Sequence, residues 1–99
     1  MELQELTHQD FKGYLNQNLK IKFSEDVTLP AELVEVVKLK GYTPLEREPF
    51  LLTFRTQQQN EYYQQGTFVV EHPILGEIPM FLGPMGFDNI GMKYEAVFS

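Results

Sequence analysis

The chain carries two histidines, His8 and His72, two serines, Ser24 and Ser99, and no cysteine, so few side chains are equipped for chemistry. A tetrahedral metal centre takes three or four ligands on one point, and neither histidine lies in a ligand-spaced pair; no metal and no cofactor are expected. His8 falls at the second position of a capping motif and is expected in solvent. His72, between Glu71 and Pro73, is expected at a hairpin end, donating to the backbone. Nucleophilic catalysis is poorly served, since Ser24 sits in an acidic turn and Ser99 at the last position, neither in a strained elbow. Carboxylate pairs occur at Glu32 with Glu35 and at Glu46 with Glu48. An acid and base couple needs an apolar pocket to lift one pKa, and none is readable beside them, so a solvated face is expected. The Gly83-Pro84-Met85-Gly86 run has the spacing of a phosphate clamp without the adjoining helix or the basic residues such a clamp uses, and reads as a connecting loop. No catalytic residue is expected, and the chain is not expected to be an enzyme.

The elements that would position any site follow from composition and periodicity. The 99 residues, 42% of them hydrophobic and including eight Phe and five Tyr, suffice for one core and one domain, residues 1–99. A net charge of −6 repels phosphate backbones and anionic headgroups, which makes nucleic acid an unlikely partner. No stretch approaches the roughly 20 apolar residues of a membrane helix, and the first residues lack the pattern of a cleaved signal, so a soluble cytoplasmic protein is expected.

Leu6-Thr7-His8-Gln9-Asp10-Phe11 reads as the start of a short helix, with Thr7 as cap, Asp10 in the first turn and Leu6 packed on Phe11. Leu19, Ile21 and Phe23 alternate with Lys20 and Lys22 as a half-buried strand does. Residues 30–40 satisfy both helical and extended spacing. The β-branched valines favour a strand, with a bulge at Val36-Val37. Residues 44–49 read as a linker, and Phe50, Leu52 and Phe54 form one face of the clearest strand. Residues 56–66, with five Gln, one Asn and two Tyr, read as an exposed loop or wet hairpin tip. Phe68 and Val70 lead into a wide hairpin that returns through Ile78, Met80 and Leu82. Residues 83–91 read as a connecting loop, and Met92, Tyr94, Ala96 and Phe98 as the inner face of a final strand. The fold class is mainly β: a small, strongly bent antiparallel barrel of five or six strands, Sm-like or SH3-like, with a short N-terminal helix.

The opposite strand faces are not fully polar. Leu51, Val69, Phe81 and Val97 form a stripe that needs a cover, because exposed apolar patches usually mark contacts. The cover is either the N-terminal helix, through Leu6, Phe11, Tyr14 and Leu15, or another subunit, with Met80, Met85 and Phe87 adding adaptable surface. Tyr62 and Tyr63 offer aromatic contact area in the Gln-rich loop.

Three runs carry a family resemblance: Arg47-Glu48-Pro49-Phe50-Leu51-Leu52-Thr53-Phe54, Gly66 through Gly76, and Tyr94-Glu95-Ala96-Val97-Phe98. Together with the opening Leu6-Thr7-x-x-Asp10-Phe11, they resemble a family of small uncharacterised bacterial proteins over nearly the whole chain. The resemblance implies no assigned activity or catalytic residue. Some members are encoded near phage-tail-collar-like proteins, which implies an accessory or assembly role. The element order is similar to the Sm-like barrel, whose members form rings and bind RNA, but no basic glycine motif matching theirs is present. The expected function is a non-enzymatic interaction or assembly protein that binds a protein partner or its own copies through Leu51, Val69, Phe81, Val97, Met85 and Phe87. The alternatives are an Sm-like nucleic-acid binder and a small-molecule site at a barrel mouth around His72, Tyr62 and Glu71.

Overall fold

A computed structural model describes residues 6–40 and 48–98. The elements are α1 (Gln9–Lys12), β1 (Asn18–Ser24), β2 (Val27–Lys38), β3 (Phe50–Arg55), β4 (Gly66–His72), β5 (Gly76–Phe87) and β6 (Met92–Phe98). The strands close into an antiparallel barrel in the order β1-β2-β3-β6-β5-β4. The architecture is thus mainly β, a closed six-stranded barrel with one short helix, as period-two spacing demands when every strand turns one face to a shared core.

That core is built from the alternation itself. Leu19, Ile21 and Phe23 of β1, Phe50, Leu52 and Phe54 of β3, Ile78, Met80 and Leu82 of β5, and Met92, Tyr94, Ala96 and Phe98 of β6 are all buried. Phe50 and Phe98 are register partners whose rings stack at 4.7 Å. Phe68, expected in the core, is only half-buried and leans on Phe23 at 5.0 Å.

The helix caps one end of the barrel, where the fully buried Phe11 lies 6.2 Å from Phe50 and 5.4 Å from His72, ring to ring. Its start departs from the expected cap. His8 is the N-cap residue and makes no side-chain cap bond. Instead the Thr7 N–H donates to Asp10 Oδ2 at 2.9 Å, and the Asp10 N–H donates to the Thr7 carbonyl at 3.1 Å. The acid thus reaches back to the preceding backbone, the reciprocal half of a capping box.

Two irregularities differ from the sequence expectation. The β2 bulge lies between Leu33 and Glu35, not at Val36-Val37. One extra residue there reverses the parity of the strand, so that Val36 packs on the core while Glu35 and Val37 face outward. Residues 83–91, expected as a loop, mostly belong to β5, which runs to Phe87 and bulges between Pro84 and Gly86. Gly86 sits at φ 121°, a conformation L side chains rarely adopt, and this is how the chain returns to pairing after the bulge. The expected linker at 44–49 falls outside the described residues from 44 to 47, as does Glu46.

Candidate protein interface

The outward stripe becomes a band once the register is known. Val37 of β2 pairs with Leu51 of β3, and Leu51 pairs with Val97 of β6. Val97 and Phe81 line one shallow groove with Gln65, Gly83, Pro84, Met85 and Glu95, of about 330 Å³. Phe81 is 58% exposed, Val97 57%, Met85 56% and Phe87 47%. Leu51 and Val69 are half-buried, and Val69 stands opposite Pro79, one pleat repeat from Phe81 along the neighbouring strand. The helix does not cover this band; it closes the barrel end by Phe11, and its neighbour Leu15 is itself exposed.

The band is bordered by a polar row. Glu35 pairs with Thr53, Thr53 with Glu95, and Glu95 with Gly83 across four strands. The Thr53 hydroxyl donates to Glu35 Oε1 at 3.1 Å and is buried beneath its neighbours. Val37, Glu35 and Glu95 were missed as part of this surface from sequence because their alignment depends on the β2 bulge and on which strands become neighbours.

The Gln-rich loop is less exposed than its composition indicates. Tyr63 stacks on Phe23 with ring centroids 4.6 Å apart and planes 7° from parallel, closing the other barrel end. The Tyr94 hydroxyl accepts from the Tyr63 N–H at 3.0 Å and donates to Gln58 Oε1 at 2.7 Å. The Thr56 hydroxyl donates to the same Gln58 oxygen at 2.9 Å and accepts from the Gln58 N–H at 3.3 Å. Burial raises the Tyr94 pKa, which keeps its hydroxyl protonated and donating. Tyr63 is therefore part of the scaffold. Tyr62 stays 47% exposed, its ring edge-on to Phe87 at 6.0 Å, so it extends the apolar surface at the β5 end.

The residues weighed for a barrel-mouth site do not converge. His72 and Glu71 end β4, about 20 Å from its first residue at the rise of an extended strand, while Tyr62 precedes that first residue and packs on Phe87 at the far end of β5. His72 is buried and fully engaged. Its Nε2 donates to the Asp10 carbonyl at 2.7 Å, and its Nδ1 accepts from the Ile74 and Leu75 N–H groups at 3.1 and 3.0 Å. That pattern assigns the neutral tautomer with the proton on Nε2. Among the described residues no group of three or more His, Cys, Asp or Glu is placed to hold a metal ion, and no helix is long and apolar enough to cross a membrane.

The strongest charge cluster is structural. Asp88 Oδ1 accepts from the Ile90 and Gly91 N–H groups at 2.8 and 2.9 Å, and Oδ2 from Arg55 Nη1 at 3.0 Å. Those backbone bonds and the guanidinium hold the Asp88 pKa at about 2. Arg55 also donates to Glu32 at 3.1 Å, and its pKa is raised, chiefly by the bond to Asp88. The cluster ties the β5–β6 turn to β2 and β3.

No curated protein and no solved structure matches this chain. A family model described as a domain of unknown function (DUF6916) matches residues 6–98, from the buried Leu6 to the last described residue of β6. The matched span takes in the helix, all six strands and the whole outward band, and the chain belongs to this family of uncharacterised domains.

Proposed function

We propose that this domain is a non-enzymatic interaction module that binds a protein partner through the outer face of β5 and β6. The supporting observation is the contiguous exposure of Phe81, Met85 and Val97 around one groove, on strands fixed by a closed barrel. A strand backbone already fixed by the closed barrel loses little conformational entropy on docking, so burial of the apolar side chains it carries stabilises a complex efficiently. The chemistry-bearing side chains are occupied elsewhere: His72 joins the helix to a hairpin, Asp88 builds a turn, and Tyr94 anchors a loop. An accessory role in assembling a phage-tail-like structure, as the resemblance implies, would use this same face. Net charge −6 disfavours nucleic acid as the partner.

Affinity purification from the native cell together with light scattering tests the reading. Phe81→Asp is expected to keep the fold and its stability within about 0.5 kcal/mol, as an exposed position should, and to lose the complexes that the unaltered chain forms. An unaltered chain that is a strict monomer, with every co-purified partner retained by Phe81→Asp, overturns it.

A further inference from the structure

The bonds His72 makes suit only the neutral form of its ring. Nδ1 accepts from the Ile74 N–H at 3.1 Å and the Leu75 N–H at 3.0 Å, so a proton placed there would face two donors and both bonds would be lost. Nε2 already carries the one proton, donated to the Asp10 carbonyl at 2.7 Å. The residue is 5% exposed, against the rings of Phe11 and Tyr14, and a charge buried there would need a partner. The titratable and charged groups of the surrounding elements supply none. On α1, the Asp10 carboxylate is engaged with the Thr7 N–H, Lys12 is exposed, His8 is the N-cap residue, and Tyr14 meets the imidazole only ring to ring at 4.8 Å. On the strands, Glu71 and Glu77 face each other on the exposed side of the hairpin, with Lys20 of β1 beside Glu71. Among the described residues no acidic side chain forms an ion pair or hydrogen bond with the imidazole.

We infer that His72 is a proton-operated latch: charging its imidazole releases α1 from the end of the barrel and uncovers Phe11 and the Phe50 ring it lies against. Docked, the ring has no nitrogen free to take a second proton. Released, it meets water and charges as an ordinary histidine does, near pH 6.5. The sign follows from this difference. Docking is at full strength above about pH 7 and weakens as the pH falls, its equilibrium constant dropping by up to about tenfold per pH unit. The strands keep their own ladders, so the surface that opens is the barrel end and not the Phe81 and Val97 face. Asp88, held at about 2, keeps its charge throughout this range. The latch stands independently of the interaction reading above.

Nitrogen-15 correlation spectra of the imidazoles in the full chain should show, at pH 7.5, His72 with its proton on Nε2 and none on Nδ1. Hydrogen exchange, corrected for intrinsic rates, should then show protection at the Lys12, Ile74 and Leu75 amides falling about tenfold between pH 7.5 and 5.5. The β3–β6 ladder should stay within about twofold. Histidine is the side chain that ordinarily changes charge in this range, and the chain has two, so His8→Gln should retain the loss. His72→Asn keeps a side-chain oxygen that accepts from the N–H groups two and three residues on, and should make protection at these amides independent of pH. Should that variant fail to fold, the ring spectra and His8→Gln decide. A proton on Nδ1 at pH 7.5, flat protection across the range, a loss abolished by His8→Gln or retained in His72→Asn, or an equal loss along the β3–β6 ladder would overturn the latch.

Discussion

His72 Nε2 lies 2.7 Å from the carbonyl oxygen of Asp10, a residue 62 positions away, and this one bond joins the N-terminal helix to the β4–β5 hairpin. The same ring packs edge-on against Phe11 at 5.4 Å and Tyr14 at 4.8 Å. His72→Ala leaves three backbone groups without their partner and a void beneath the helix. Urea unfolding should report a loss of about 2–4 kcal/mol. A hairpin-end residue in solvent would cost under about 0.5 kcal/mol.

Gly91 is required for a different reason. A β-carbon on it would collide with the Thr56 carbonyl and lie about 2.8 Å from the Thr56 carbonyl carbon, atoms of a backbone that also donates the Thr56 N–H to the Met92 carbonyl at 2.9 Å. Gly91→Ala should therefore destabilise by about 2 kcal/mol or more, or prevent folding. Gly13 is the control: it has right-handed helical angles and open space around it, so Gly13→Ala should be neutral or stabilise by about 0.4–1 kcal/mol. Paired thermal melts decide both.

The Asp88 carboxylate gives the pH dependence its sign. Its pKa falls from an ordinary 3.8 to about 2 on folding, so the unfolded chain takes up this proton first as acid is added. The contribution is fully present above about pH 4 and is lost as pH falls toward 2. Asp88→Asn should be less stable than the unaltered chain at pH 6, and the gap should narrow across pH 4 to 2 in urea titrations. A gap that stays constant through that window would place the carboxylate's contribution elsewhere.

Tyr94→Phe keeps the buried ring and removes only the hydroxyl that holds Tyr63 and Gln58. A loss of about 1–2 kcal/mol is expected, with faster hydrogen exchange at the Tyr63 amide and little change at Ile21 or Val70.

The alternation of Phe50, Leu52 and Phe54, and of Met92, Tyr94, Ala96 and Phe98, made strands and an inner face readable before any coordinates, because burial of one face imposes period two. The outward set of Leu51, Val69, Phe81 and Val97 was readable for the same reason. What could not be read was adjacency. Leu51 meets Val97 only because β3 and β6 are neighbours in the closed order, a relation of residues 46 positions apart that no local pattern carries. The double apolar step points to a bulge at Val36-Val37, but Leu33-Val34-Glu35-Val36-Val37 offers several points where parity can reverse, and packing of Val36 on the core decides among them. Gly83–Phe87 has the Gly and Pro content of a loop, yet Pro84 is tolerated in a strand whose other side needs no N–H donor. The Gln-rich loop hid its anchor, since a single tyrosine hydroxyl underneath organises it.

Closure between β1 and β4 rests on three rungs, Lys20 with Glu71, Ile21 with Val70 and Lys22 with Val69, whereas β4 and β5 share seven. With so short an overlap, hydrogen exchange is expected to show this joint opening before the seven-rung β4–β5 ladder, which would turn the cylinder into a curved open sheet. Such an opening would bare Ile21 and Val70 together, two fully buried side chains from opposite ends of the strand order. Opening at this seam would leave the β3–β6 and β4–β5 ladders, and with them most of the outward band, in place.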